Sequence, residues 1–455
     1  MPCPPIMKDC WMTLSELEDK RIAIWGLGRE GLASYHLLRR HFPDKYLLLI
    51  DGMRPKNLPD DDHISFVLQD GFEQQMEHLD VVIKAPGISL YHPLITKLRQ
   101  HNIGITSATN IWFAERRQAT VIAITGSAGK STTAALLTHV LKHIGFKTQL
   151  GGNIGTPLLS LDGDADYYVV ELSSYQTADL HHPADIAVLL NLYPEHIDWH
   201  KSHTQYFADK CRLVTDGAGI CLLNRTDPRT NDILRQPPEG TKYYNDPATI
   251  HADSQYIYAG GKILGPVSEI NLPGAHNREN ICAVLMVCRE LNLDLKECFA
   301  WAAGFCGLPH RLENLGKFHE KTYINDSIAT TPEATLAALK SLEGKSITLL
   351  AGGQDRHQNY GELVEYIRDH AEITVITAYE SGPKLHAALE NAGVSSIISA
   401  DDLKDSVGKA QKITPKGGFI LLSPAAPSYD SFKNFEQRGD FFRKFAGSNL
   451  LTSSE

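Results

Sequence analysis

The chain has no Cys-x-x-Cys pair among its eight cysteines, which stand at positions 3, 10, 211, 221, 282, 288, 298 and 306. That spacing excludes the common zinc ribbons and thioredoxin-type motifs. It fits a reduced cytoplasmic setting in which the cysteines serve as small hydrophobes. No apolar run reaches the about 18 residues that a membrane helix needs, so no membrane span is expected. Met1 to Asp9 lacks the apolar core of a signal peptide. Basic residues do not outnumber acidic ones (44 against 54, net charge −10), which argues against a general nucleic-acid or anionic-membrane partner. Local basic pockets for phosphate remain compatible with that balance. Internal repeats and low-complexity tracts are also missing. What is present, 455 residues with 42% hydrophobic and 22% charged, fits a globular protein of about three domains at roughly 150 residues each. The ends, Met1–Met12 and Ser448–Glu455, read as frayed tails.

Three segments each open on a strand-like run and continue as alternating β and α patterns, the sign of doubly wound α/β folds. The first starts at Arg21-Ile-Ala-Ile-Trp25, followed by Gly26-Leu-Gly28-Arg-Glu-Gly31 and a helical stretch through Leu38. A second strand, Tyr46–Ile50, ends in Asp51, an acidic residue about 20 positions past the glycines, as in dinucleotide-type folds. Such a glycine turn serves helix–strand packing equally well. A third strand, Val81–Ile83, leads into a loop, Lys84-Ala-Pro-Gly87-Ile88, at a carboxyl sheet edge. The second segment opens near Gln118, with further strands at Tyr167–Val170, Ile186–Leu190 and Gly219–Leu223, a β-like meander around 243–267 and a helix over about 280–291. The third starts near Gly307, with strands at Ser346–Leu350, Ile373–Ile376 and Gly418–Leu422.

Residues Thr125-Gly126-Ser127-Ala128-Gly129-Lys130-Ser131-Thr132 follow the apolar run Val121–Ile124 and precede a helical pattern. Strand, glycine turn and helix start is the context of a phosphate-binding loop. Its backbone N–H groups and the helix N-terminus favour phosphate oxygens. Lys130 can reach a terminal phosphate, and the Ser131 or Thr132 hydroxyl can ligate Mg²⁺. The usual spacing puts a first glycine where Ile124 stands, so a plain glycine turn before a helix is the competing reading. Strand 167–170 ends in Glu171-Leu-Ser173-Ser-Tyr-Gln176, which places a carboxylate for Mg²⁺; a surface or N-cap position is the alternative. The next strand ends in Asn191-Leu-Tyr-Pro-Glu195-His196-Ile-Asp198-Trp-His200. Here His196 is a candidate second-metal ligand, although Mg²⁺ prefers oxygen; an ordinary loop histidine is the alternative, and nothing supports zinc. Lys210, in an expected helix over 204–214, reads by itself as a solvated charge.

Together these motifs resemble the Mur ligases of peptidoglycan synthesis, in the MurD type that adds glutamate. The resemblance spans nearly the whole chain. It is carried by Thr125–Thr132, Gly152-Asn153-Ile-Gly155, Glu171–Gln176, Glu195-His196, His276-Asn277 with Asn280, Leu308-Pro-His-Arg311, Asn325-Asp326-Ser327 and Leu422-Ser-Pro424 with Phe432-Lys-Asn-Phe435-Glu-Gln-Arg-Gly439. It implies a three-domain α/β fold. An N-terminal Rossmann-like UDP-binding domain (1–116) is followed by a central P-loop-type ATPase domain (117–307) and a C-terminal Rossmann-like glutamate-binding domain (308–455).

By the same resemblance, Gly28, Asp51 and Gly87 line the UDP end of the substrate, while Asn153, Ser173, Glu171 and His196 stand near substrate and metals. Gly126, Gly129, Lys130, Ser131 and Thr132 hold ATP with Mg²⁺, joined by Asn277, Asn280, Arg311 and Asp326 at the nucleotide. Lys210 matches the lysine that the family carbamylates, a change that turns a cation into a Mg²⁺ ligand or orienter. Thr330, Arg356, Ser428 and Phe435 match the glutamate pocket. Arg356 replaces a lysine common there and clamps a carboxylate more rigidly, and Ile328 replaces another lysine. The stretches 110–115, 173–177, 194–200 and 328–333 are similar to a variant branch that adds L-glutamate.

The implied reaction is ATP-dependent amide ligation of glutamate to UDP-N-acetylmuramoyl-L-alanine through an acyl phosphate, by a cytoplasmic monomer whose domains close to exclude water. The alternatives are the standard D-glutamate enzyme, a folylpolyglutamate-synthase-like ligase (opposed by the Gly26–Gly31 segment) and a silent nucleotide-binding regulator. The last is opposed by intact Lys130, Glu171, His196 and Lys210.

Overall fold

The computed structural model describes residues 12–447 except 56, 57, 116, 117, 162 and 273. Cys3, Cys10, both expected tails apart from Met12, and the expected boundary at 116/117 lie outside the described residues. The chain forms two compact units, Met1–Phe305 and Cys306–Glu455.

The first unit contains two parallel sheets. In the first, β1 (Ile22–Trp25), β2 (Leu47–Asp51), β3 (Ile64–Leu68), β4 (Val81–Lys84) and β5 (Gly104–Thr106) lie in the order β3-β2-β1-β4-β5. The second comprises β6 (Thr120–Thr125), β7 (Thr148–Gly152), β8 (Tyr167–Glu171), β9 (Ile186–Leu189), β10 (Ile220–Asn224) and β11 (Lys242–Tyr244), in the order β11-β10-β9-β6-β8-β7. Central strands such as β1 and β9 are buried along their whole length. Helices cover both faces of such sheets, which is why these strands read as continuous apolar runs rather than alternating ones.

A small antiparallel meander follows, built from β12 (Ile250–Ala252), β13 (Tyr256–Ala259) and β14 (Lys262–Pro266). The expected meander thus begins later than 243, because Tyr243 and Tyr244 complete the parallel sheet through pairing with β10. The helix expected from 280 spans Ala275–Glu290 and so carries both Asn277 and Asn280 in its first turns.

In the second unit, β15 (Glu313–Phe318), β16 (Lys321–Asn325), β17 (Ile347–Ala351), β18 (Ile373–Thr377), β19 (Ile397–Ser399) and β20 (Phe419–Leu422) take the order β15-β16-β20-β17-β18-β19. Only the edge strand β15 runs antiparallel. Five of the six described cysteines are buried like small hydrophobes; Cys306 is exposed, contrary to that expectation. Among the described residues, no helix is long and apolar enough to cross a membrane.

Candidate active site

Register decides which loops become neighbours. Ile124 of β6 stands beside Glu171 of β8, Gly152 of β7 also stands beside Glu171, and Thr125 of β6 stands beside Leu189 of β9. The loops leaving β6, β7, β8 and β9 therefore emerge at one carboxyl edge, where open α/β sheets bind ligands.

The turn at 126–129 joins β6 to the helix Lys130–Ile144. Ile124, which stands where a first glycine is usual, is an interior residue of β6, so the departure from the usual pattern falls in the strand rather than in the turn. Gly129 caps the helix with φ 83, a left-handed conformation that favours glycine. A Cβ there would also lie 2.8 Å from Asn280 Oδ1, and Asn280 Nδ2 donates to Asn277 Oδ1 at 3.3 Å. The structure thus brings Asn277 and Asn280 to the glycine turn. Asn191 braces the turn from β9: its Oδ1 accepts from Ala128 N at 2.9 Å and its Nδ2 donates to Ala128 O at 3.1 Å. Ser127 Oγ accepts from Tyr193 N and lies 2.7 Å from Tyr206 OH. Lys130 Nζ donates to Ser127 O at 2.7 Å, which holds the ammonium over the turn, while Ser131 is buried and Thr132 half-buried beside it.

Glu171 is fully buried. Its Oε1 accepts from Asn153 Nδ2 at 2.7 Å, and its Oε2 has no hydrogen-bond partner. A buried carboxylate oxygen without a donor is costly unless a cation completes it, so the donor set here fits Mg²⁺. Among the described residues, no three His, Cys, Asp or Glu converge on one point. That suits a cation which keeps waters and phosphate oxygens in its shell. His196 caps the helix Ile197–His200 in a left-handed conformation, half-exposed, with its ring 5.0 Å from that of Tyr175. Burial, aided by the charges of Lys210 and Lys130, lowers its pKa against the opposing pull of Glu195.

Lys210 is no solvated surface charge. It is buried on the helix His203–Thr215, and its Nζ donates to Gly126 O at 2.9 Å above the Tyr206 ring. Burial first, and then the Lys130 charge, bring its pKa down to about 7.

On the first sheet, Gly28 is exposed at the start of the helix Arg29–His41, and Gly87 is exposed after β4. Half-buried Asp51 bonds to two turns: Oδ2 accepts from Leu27 N of the glycine turn after β1 at 2.6 Å, and Oδ1 from Gly52 N of its own turn at 2.7 Å. Ser173 closes a capping box with Gln176. Arg29 was missed by sequence reasoning. It donates to Gly152 O (3.1 Å), Asn153 O (3.0 Å) and Gly155 O (3.2 Å), tying the glycine turn of the first sheet to the Asn153 loop. Asn191 and Tyr206 were missed as supports too. Asn191 carried a signal, a polar residue at a strand end; Arg29 and Tyr206 carried none.

Gly152 is the tight point of that loop. Its φ is 101, and a Cβ would sit 2.3 Å from Glu171 O. Gly152→Ala is expected to destabilise the protein by about 2 kcal/mol or more, read as a lower Tm in thermal unfolding. An unchanged Tm would mean that this backbone relaxes freely.

In the second unit, Asp326 is buried, with Oδ1 accepting from Leu312 N at 3.1 Å and Oδ2 from Ser423 Oγ at 2.8 Å; burial raises its pKa to about 6. Arg311 is exposed. Ser428 is buried, whereas Thr330 and Phe435 are half-buried. Arg356 is exposed, with its guanidinium 5.6 Å from the centre of the Tyr429 ring and its Nε donating to Gln354 Oε1 at 3.1 Å. The buried Arg438, also unforeseen, donates to Ser327 Oγ, Ser327 O and Ala426 O, joining the loops after β16 and β20.

The chain is similar to known proteins along most of its length. Residues 124–288 match the Mur ligase middle domain, and residues 310–426 match the Mur ligase, glutamate ligase domain. A UDP-N-acetylmuramoyl-L-alanine–L-glutamate ligase of Xanthomonas axonopodis pv. citri is 38% identical over 96% of this chain and 97% of its own. One of the same name from Salinispora tropica is 36% identical over 95% of this chain and 98% of its own. Among solved structures, MurF of Acinetobacter baumannii shares the fold with a TM-score of 0.58 at 16% identity, covering 94% of this chain and 90% of that one. The UDP-N-acetylmuramate-alanine ligase MurC of Thermotoga maritima does so with a TM-score of 0.55 at 17% identity, covering 93% and 98%.

Proposed function

The chain belongs to the Mur ligase family, and from that premise we propose that it joins glutamate to UDP-N-acetylmuramoyl-L-alanine in peptidoglycan precursor synthesis, converting ATP to ADP and phosphate. The observation that carries this reading is the single sheet edge at which the 126–129 turn, Asn153, Glu171 with its unpartnered oxygen, and Lys210 meet. We assign the UDP end to 1–116, ATP to 117–307 and the incoming amino acid to 308–455. The enzyme acts as a cytoplasmic monomer.

The alanine carboxylate attacks the γ-phosphorus, and ADP leaves. Lys130 and the N-terminus of its helix neutralise charge on the transferring group. Glu171 and the Ser131 hydroxyl would hold Mg²⁺, with His196 and a carbamylated Lys210 nearby, and the ion would supply further charge neutralisation. Asn153 keeps Glu171 oriented through its 2.7 Å hydrogen bond. The glutamate amine then attacks the acyl carbon; the tetrahedral intermediate expels phosphate, and the amine proton is lost. Gly28, Asp51 and Gly87 take the UDP end, with Ser173 beside the reacting carboxylate. Asn277, Asn280, Arg311 and Asp326 contact the nucleotide, and Thr330, Arg356, Ser428 and Phe435 the glutamate. Phosphate release with UDP-N-acetylmuramoyl-L-alanine plus glutamate, set against a folate plus glutamate, tests the assignment. Release only with the folate would replace it.

We propose L-glutamate as the isomer. The names of the relatives and the motifs at 110–115, 173–177, 194–200 and 328–333 support it. Comparison of kcat/KM for the two isomers decides: preference for D-glutamate would leave a standard MurD. Arg356→Ala is expected to raise the KM for glutamate about tenfold, the worth of one charged hydrogen bond at an exposed position, and to leave the KM for ATP unchanged. An unaltered glutamate KM would remove Arg356 from the pocket.

A further inference from the structure

The loop after β4 is fastened to the second sheet by buried polar groups that the proposed chemistry does not use. His200 is fully buried, with Nδ1 2.6 Å from Asp209 Oδ2 and Nε2 3.0 Å from Ser174 Oγ. Asp209 also accepts from Tyr91 OH, 2.8 Å from both carboxylate oxygens, and from Gln205 Nε2 at 2.8 Å. A carboxylate only accepts, so Nδ1 carries its hydrogen toward Asp209; in the neutral ring, Nε2 then accepts from the Ser174 hydroxyl. The connectivity is that of a hydrolytic Ser-His-Asp triad. Yet Ser174 and Asp209 are each only 2% exposed, so no substrate carbonyl reaches the serine. The group works as a clamp.

Three segments meet in it. Ser174 lies three residues beyond Glu171. Asp209 precedes Lys210 on one helix, so pinning Asp209 sets the rotation of that helix and the aim of Lys210 Nζ at Gly126 O. Tyr91 follows the loop that carries Gly87, and Trp199 grips the same loop. Its Nε1 donates to Pro86 O at 3.1 Å, and its carbonyl accepts from Ser89 Oγ at 2.6 Å. We infer that His200 is a positioning residue that holds Lys210 and the Gly87 loop in register with the turn after Glu171. The inference rests on the ligase reading above.

The test uses the full chain as wild type, Tyr91→Phe, Asp209→Asn, His200→Leu and His200→Asn. Ligation is assayed with UDP-N-acetylmuramoyl-L-alanine, glutamate and ATP, alongside amide hydrogen exchange over residues 84–91 and 203–215. Misplacement of reacting groups by about 1 Å costs about a hundredfold in rate, so Tyr91→Phe and Asp209→Asn are expected to lower kcat by about ten- to a hundredfold. The KM for ATP stays within about twofold, since neither change touches Lys130 or Asn191, which hold the phosphate turn. A Tyr91→Phe, Asp209→Asn double variant loses less than the product of the two single losses, because both changes act on the shared Tyr91–Asp209 contact. His200→Asn, whose amide can replace the Nδ1–H donor, recovers most of the rate that His200→Leu loses. Exchange over 84–91 quickens in Tyr91→Phe. Wild-type exchange and kcat in folded Tyr91→Phe and Asp209→Asn would overturn the inference, as would a lower Tm with kcat unchanged. Should His200→Leu fail to fold, Tyr91→Phe, which removes one oxygen, decides. If the wild type itself does not ligate, the ligase reading fails, and the exchange arm still judges the clamp.

Discussion

Lys130→Ala is expected to lower the ligation rate at least about a hundredfold, a loss of roughly 3 kcal/mol of transition-state stabilisation. The ammonium is already aimed before ATP arrives. It starts a fifteen-residue helix and bonds back to Ser127 O at 2.7 Å, over the 126–129 turn. Alanine keeps the helix start and removes the ammonium with its bond to Ser127 O, so Tm should change little while phosphate release collapses. Lys130→Arg should not restore the rate, because the planar guanidinium is wider than an ammonium point charge. Activity within a few fold of wild type would remove this turn from the phosphoryl-transfer site.

Lys210→Ala is expected to be nearly inactive and to regain part of its rate from a short carboxylic acid such as acetate. A lowered pKa favours capture of CO2 by this amine. The reaction gives a carbamate and a proton, and only the free amine undergoes it. With its pKa brought down to about 7 by burial and by Lys130, Lys210 holds a large free-base fraction near neutral pH. Carbamate formation should therefore fall as pH drops below 7 and the amine protonates. The product would place an anion among Lys130, Glu171 and the metal, where a carboxylate can stand in for it. Carbon-13 NMR with labelled bicarbonate reads the carbamate directly. Absence of both the signal and the rescue would leave Lys210 a plain buried amine bonded to Gly126 O.

Much of this site was legible in single stretches of chain. The apolar run of β6, the glycines and Lys130 lie within eleven residues, from Thr120 to Lys130, and the chemistry of each part is local. Glu171 is likewise legible as a carboxylate at a strand end, because the end of a parallel strand is where an open sheet offers groups to a ligand. Shorter or more polar strands such as Gly104–Thr106 and Thr148–Gly152 left little periodicity to read, and they became visible only as partners of longer neighbours.

By itself, then, the sequence determined the βα alternation, the phosphate turn and the acidic strand ends, since periodicity and turn chemistry act over a few residues. Only the tertiary structure decided that Arg29 reaches the carbonyls at 152, 153 and 155, that Asn280 closes on Gly129, and that Tyr91 meets Asp209, 118 positions away. It also turned Lys210 from an ordinary helical charge into a buried amine and tied Asp51 to the glycine turn after β1. The reason is physical. Contacts across such separations follow from strand order and register, which the packing of whole sheets selects, and a residue's charge state follows from the burial that this packing imposes.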